Sequence, residues 1–178
     1  MVARPELVVA VAAGLSDPVR PDVAAMAESL GAAHPSLAAV LFYGSALRKA
    51  ETGVIPDLYL LVDGYRAFHR RASMAAAGRF LPPNVVFLPA NGPDNIGFKA
   101  AVMSLEAFRA RMRPDGFDTT LWARFSQPSR LVWCRNEAAR AEVTEALADA
   151  GAAAAYWAVR LGPGKGPSAD YWTSLFRH

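Results

Sequence analysis

The sequence predicts an α+β fold: a mixed sheet flanked by helices, with a helical C-terminal portion. Three observations lead there. Apolar runs of strand length, at 37–43, 57–63, 85–88 and 97–103, are bounded by turn residues. Alanine-rich stretches with helical spacing lie between and around them. A balance of 53% hydrophobic to 20% charged residues over 178 positions suits a packed globular chain and not a disordered one.

The elements follow in order. Pro5 suits a first helical turn, Glu6 follows it, and Ser16-Asp17-Pro18 marks a stop, so 5–15 reads as a helix. The same stretch loosely resembles a signal peptide, with an apolar run behind one arginine, but the helix is the preferred reading. Residues 21–33 form a second helix with Val23, Met26, Ala27 and Leu30 on one face, broken by "HPS". Leu37–Tyr43 is a buried strand, followed by Gly44-Ser45 and a short helix to about Ala50. A loop at 52–56 leads to a second strand at 57–63, and 65–80 reads as a helix ended by "LPPN". Strands at 85–88 and 97–103 flank the turn cluster "PANGPDN". Helices follow at 105–112 and 119–125, an extended segment in "QPSRLVWCRN", and a strongly helical run from Glu137 that continues to about Arg160. The expected organisation is a unit at 1–104 and a helical portion at 105–178, with the flexible "GPGKGPS" near its end and a termination that looks incomplete.

Bulk properties narrow the function classes. A formal charge of +3 favours anionic ligands but is too small to argue for nucleic acid. Cys134 is the only cysteine, which excludes an internal disulfide or a zinc cluster and points to a reducing compartment. No apolar run approaches the ~20 residues that span a bilayer. The expectation is a cytoplasmic chain, at most peripheral to the membrane. Oligomeric state is left open, and a homodimer is compatible with it.

The chemistry centres on "VLFYGSALRKAETGVIPDLYLLVD" at 40–63. A glycine directly after a strand lets the backbone approach a phosphate, and Ser45 adds a hydroxyl and an N–H where a helix begins. Asp57, at the mouth of the next strand, could hold Mg²⁺ against phosphate oxygens. The position two residues on is Tyr59, which reads as a packed core aromatic. Asp63 shares the face by parity, but at ~3.3 Å per residue it lies about 20 Å away, too far to share a metal with Asp57. Lys99, inside the apolar run "FKAAVM", must snorkel or meet an anion. Arg124 sits beside Trp122 in a short helix and suits a phosphate or headgroup. Asp118 either completes a metal site or caps the helix that follows it.

These features resemble the nucleotidyltransferase superfamily, whose signature is a Gly-Ser pair followed by a strand with alternating acids; here the alternation fails at Tyr59. A more particular similarity is to the mitochondrial-type phosphatidate cytidylyltransferases, the CDP-diacylglycerol synthases of the translocator assembly and maintenance family. It rests on "FYGS" at 42–45, "DLYLLVD" at 57–63, the pair Phe68-His69, "KAAVMS" at 99–104, and "LWARFSQPSRLVW" at 121–133. The last keeps Trp122, Arg124 and Pro128, with Ala123 and Gln127 where the family has glycine and lysine. The similarity runs from about Leu37 to Trp133. A His-Tyr-Ser motif is missing, "AAAGRF" standing in that region, and the strand before "PANG" is reduced.

The resemblance implies a nucleotidyltransferase-like fold and a reaction: CTP and phosphatidic acid give CDP-diacylglycerol and pyrophosphate, with Mg²⁺ as cofactor, at an anionic membrane. Asp57 would be the metal ligand, and Asp57 with Lys99 the catalytic pair. Gly44, Ser45, Lys99 and Arg124 would bind nucleotide, and His69 with Arg124 the acceptor. The alternatives are a module of the same fold that binds nucleotide without transferring it, or a transferase acting on a soluble acceptor.

Overall fold

The computed structural model describes residues 4–48, 55–69, 83–88, 97–115 and 119–177. Its elements are α1 (Pro5–Leu15), α2 (Pro21–Ala33), β1 (Leu37–Tyr43), α3 (Ser45–Arg48), β2 (Asp57–Val62), α4 (Tyr65–Phe68), β3 (Asn84–Leu88), β4 (Phe98–Ser104), α5 (Leu105–Ala110), α6 (Thr120–Phe125), β5 (Ser129–Cys134), α7 (Glu137–Leu161) and α8 (Ser168–Leu175). The protein is α+β. Five strands form one mixed sheet in the order β3-β4-β2-β1-β5, with β2 and β4 parallel and the other pairs antiparallel.

The sheet is buried on both faces, so its central strands are apolar runs without alternation. Ala39, Leu41, Tyr59, Leu61, Ala101 and Met103 face one core, which Phe108 of α5, Phe125 of α6 and Val143 and Leu147 of α7 complete. Val40, Phe42, Leu58, Leu60, Ala100 and Val102 face the other, against Val23, Ala27 and Leu30 of α2. A register irregularity between Leu37 and Ala39 changes the parity of β1, which is why Leu37 joins the α2 side and Ala38 and Ala39 the opposite one.

The long helix α7 is specified at both ends. The Asn136 side chain accepts from the Ala139 N–H at 2.9 Å, and Gly162 follows the last turn. Its buried residues include seven alanines, Ala139, Ala146, Ala148, Ala150, Ala153, Ala154 and Ala158, which suits close approach to the sheet and to neighbouring helices. β5 pairs with β1, so the segment after residue 104 contributes a strand to the same sheet, and its helices complete the same core. Packing is therefore continuous across the expected boundary at 104/105. No described helix is long and apolar enough to cross a membrane.

Two elements differ from expectation. The second strand ends at Val62; the Asp63 N–H bonds to the Ser36 carbonyl at 2.9 Å, and Arg135 holds its carboxylate through Nη2 at 2.9 Å. The helix expected over 65–80 stops at Phe68 among the described residues, because His69 turns extended (φ −91°, ψ 123°); residues 70–82 lie outside the description.

α2 approaches β5 closely at Gly31. A Cβ at Gly31 would lie 2.3 Å from the Trp133 indole, whereas one at Gly14 in α1 would meet nothing within 4 Å. Gly31→Ala should therefore destabilise the fold by about 1–3 kcal/mol through overpacking. Gly14→Ala should be neutral, or stabilising by up to about 1 kcal/mol through reduced unfolded-state entropy and better helix propensity. Urea unfolding of the two variants checks the contrast, and equal stabilities would mean the indole does not seat α2.

Candidate functional site

Register brings the sequence-predicted residues to one end of the sheet. Tyr43, the last residue of β1, pairs with Asp57, the first of β2. Asp57 pairs in turn with Lys99 of β4, Lys99 with Phe87 of β3, and Tyr43 also with Ser129 of β5. Residues paired across strands project from the same face, so Phe87, Lys99, Asp57, Tyr43 and Ser129 form one row. The Lys99 N–H donates to the Pro56 carbonyl at 3.1 Å and anchors the parallel pair at this end.

The chain leaves β1 through Gly44 at φ +88°, in the left-handed region where a side chain is strained. A Cβ there would lie 3.1 Å from Oδ2 of Asp57. The carboxylate thus sits directly against the backbone of the turn, half-buried, and the exposed Ser45 follows Gly44 as the first residue of α3. α3 has only four residues, so its macrodipole adds little; what the turn offers is close backbone approach and the Ser45 hydroxyl. Among the described residues none forms a hydrogen bond or ion pair with the Asp57 carboxylate or the exposed Lys99 ammonium.

Behind the row lies an aromatic floor. Tyr59, at the position where an alternating-acid strand would place its second carboxylate, is buried with its ring 5.5 Å from Tyr43 and 5.1 Å from Phe125. Arg124, from the end of α6, holds its guanidinium carbon 5.6 Å from the Tyr43 ring centre. Burial pushes the Tyr43 phenol above its ordinary pKa; Arg124 pulls it back and Asp57 pushes it further up. Burial raises Tyr59 more strongly, again against the pull of Arg124, although its hydroxyl has no hydrogen bond of ordinary geometry. Tyr43 is the site residue that sequence reasoning passed over; its signal was its place between the first strand and the glycine.

Gly44, Ser45, Asp57, Lys99 and Arg124 therefore gather at one end of the sheet, and His69 does not join them. It is buried beyond α4 beside Phe68, which stacks on His34 with ring centres 4.5 Å apart, near the start of β1. Asp57 to Val62 alone spans about 17 Å of strand, and His69 follows from the far end. Burial, with His34 adding, lowers its pKa. Asp118 lies outside the described residues.

Two clefts bear on this. The larger, about 460 Å³, opens at the far end and is lined by Asp63, Arg109, Arg113, Arg135 and Glu142. Four of those charges are already joined as Arg109–Glu142 and Arg135–Asp63, so it is a poor match for an anionic ligand. The other, about 440 Å³, adjoins the row at Ser129 and is lined by Leu7, Val11, Phe125, Pro128 and Leu147.

Among the described residues no three His, Cys, Asp or Glu side chains cluster to hold a metal. Among the described residues Asp57 is the carboxylate placed at the Gly44 turn, a one-carboxylate donor set. Mg²⁺ typically takes one or two carboxylates together with phosphate oxygens and water, so this set fits an ion that arrives with a polyphosphate. No protein-family model and no curated protein matches the chain.

The two phenols predict an alkaline limit. Their folded pKa values exceed the ~10 of an unfolded tyrosine, so each contributes stability that is complete below that pH and lost as pH rises through the raised value. Tyr59→Phe removes a buried hydroxyl without a partner. It should leave stability at neutral pH unchanged, or raised by about 1 kcal/mol, and should flatten the alkaline fall. Urea unfolding from about pH 8 to about pH 11 reads both effects; a clear loss at neutral pH would mean that the hydroxyl is satisfied.

Proposed function

We propose that the chain is a Mg²⁺-dependent nucleotidyltransferase that converts CTP and phosphatidic acid to CDP-diacylglycerol and pyrophosphate at a membrane surface. The observation that carries this reading is the Asp57 carboxylate packed against the Gly44 turn, in register with Lys99. The order of the motifs from "FYGS" to "LWARFSQPSRLVW" supplies the choice of reaction.

On this reading the Gly44-Ser45 backbone lies against the polyphosphate, close enough because no Cβ intervenes. Asp57, with the Ser45 hydroxyl, would hold the metal that the nucleotide brings, and Lys99 would lie beside the phosphates. The metal, when bound, neutralises charge on the phosphate oxygens. The lipid phosphate oxygen attacks the α-phosphorus, a new P–O bond forms, the α–β bridging P–O bond breaks, and pyrophosphate leaves with that electron pair. The attacking oxygen is already ionised near neutral pH, so no general base is required. What the protein contributes is alignment of two anions and relief of their repulsion, with Arg124 placed to meet the second phosphate. The cleft at Ser129 favours a lipid acceptor through Leu7, Val11 and Leu147, which give hydrocarbon a surface next to the row, although the Arg130–Asp17 ion pair and Gln127 share its lining.

A second reading is a domain that binds nucleotide without transferring it. The observation in its favour is Tyr59, a packed ring where a second metal-bridging acid would stand.

Incubation of labelled CTP with phosphatidic acid vesicles and Mg²⁺ separates the two: label in the organic phase supports transfer, and bound CTP with no labelled lipid supports binding alone. Asp57→Asn should lower turnover about 100-fold or more with the fold intact. Lys99→Ala should raise the KM for CTP about tenfold, the loss of one charge-assisted phosphate contact. His69→Ala should leave both constants near wild type, as its distance from the row requires. Asp57→Asn turning over at the wild-type rate would remove the metal assignment.

A further inference from the structure

β3 ends the sheet on the side opposite β5, and its two faces differ. Val86 and Leu88 pack into the core on the α2 side, while Val85 and Phe87 point to the other face and are 57% and 64% exposed. On that face α5 packs on β4 and β2, and α7 packs on β1 and β5. A scattered exposed hydrophobic residue needs no explanation. Phe87 is not scattered: it stands directly across from Lys99 and one further strand from Asp57, in the same row. Its ring is also laid against Gly97, where a Cβ would meet its Cζ at 2.2 Å, so the absence of a side chain there makes room for the ring.

We propose that Phe87, lying against Gly97, is the stacking shelf for the nucleobase of the bound nucleotide. The inference rests on the reading that places the polyphosphate at Gly44 and Asp57. Two inter-strand steps, about 10 Å, separate that point from Phe87, and a nucleotide bridges such a gap with its ribose and α-phosphate. Lys99 lies between them, where the α-phosphate would pass. The pairing of a cation with a neighbouring aromatic ring matches the two chemical halves of a nucleotide, charge first and flat apolar base second. Stacking of a base on an aromatic side chain is strong but tolerant of base identity, because every base has a π-face. The shelf therefore sets affinity and orientation for nucleotides in general, and selection of cytosine falls to other groups.

Calorimetric titration of the full chain with Mg²⁺-CTP, Mg²⁺-ATP and Mg²⁺-tripolyphosphate tests this. Phe87→Ala should weaken both nucleotides about tenfold and leave tripolyphosphate unchanged, and Phe87→Trp should restore nucleotide affinity. Lys99→Ala, by contrast, should weaken all three. If Phe87→Ala binds both nucleotides like wild type, the shelf is wrong while the phosphate site stands. Parallel loss of tripolyphosphate would mean that Phe87 only supports the strand. Loss of binding to phosphatidic acid vesicles with nucleotide affinity intact would assign the ring to the membrane and overturn the proposal. If the wild-type chain binds neither nucleotides nor tripolyphosphate, the underlying reading falls, and the shelf with it.

Discussion

A bare backbone at the end of β1 is the constraint on which the site depends. At φ +88° position 44 is strained for any side chain, and a Cβ there would crowd the Asp57 carboxylate at 3.1 Å. The carboxylate can lie there only because Tyr43 and Asp57 are paired, and that pairing follows from the register of two strands buried on both faces. A slip of one residue would carry Asp57 to the face covered by α2, among Leu58, Leu60 and Phe42, where a carboxylate has no partner. The apolar packing of the sheet and the position of the acid are therefore one specification. Lys99 and Phe87 follow by the same register, each one strand further out.

The floor beneath the row determines its electrostatics. Tyr43, Tyr59, Phe108 and Phe125 stack edge to face or tilted, with ring centres 5.0 to 6.1 Å apart, and form a packed floor on the face that Asp57 shares. Among the described residues two cations, Lys99 and Arg124, stand at this end of the sheet against the Asp57 carboxylate. A polyanion that brings a divalent ion balances that set better than water does. The raised phenols of Tyr43 and Tyr59 belong to the same arrangement, since burial lifts both against the opposing pull of Arg124.

Much of the fold was legible because its signals are local. β1 at 37–43 is an apolar run between "HPS" and Gly-Ser, and both N-terminal helices begin at a proline suited to a first turn. Gly44, Ser45 and Asp57 were legible as a unit for the same reason: a strand, a turn and the mouth of the next strand lie close in the chain. Lys99 was legible as an anomaly, a charge in an apolar run, but its partner was not, since nothing near it in sequence says that β4 lies parallel to β2 with residue 99 opposite 57. His69 shows the limit most sharply. Helical spacing continues past it, yet it turns extended beside Phe68, whose ring packs against His34 from the end of α2. Asp63 was placed on the Asp57 face by alternation, and instead leaves the strand to meet Arg135 from the end of β5. Phe87 looked like any strand aromatic, because which face of an outer strand goes uncovered depends on helices far along the chain.

Tyr59 bears most directly on what such a site could do. A second acid on the same face would hold a metal before substrate arrives. Among the described residues a packed ring there leaves Asp57 without a second acid on its strand face, and one carboxylate in contact with solvent binds Mg²⁺ weakly without phosphate oxygens to complete the shell. On the proposed reading, metal and nucleotide therefore enter together, and the affinity of either is conditional on the other. This coupling lets Lys99, Arg124 and the Gly44 backbone act on metal binding without touching the ion. On the same reading, that no described acid pairs with Lys99 leaves Asp57 available to a metal, which an ion pair would occupy. The lone acid is thus compatible with transfer provided that the triphosphate supplies the ligands which an alternating strand would have supplied itself.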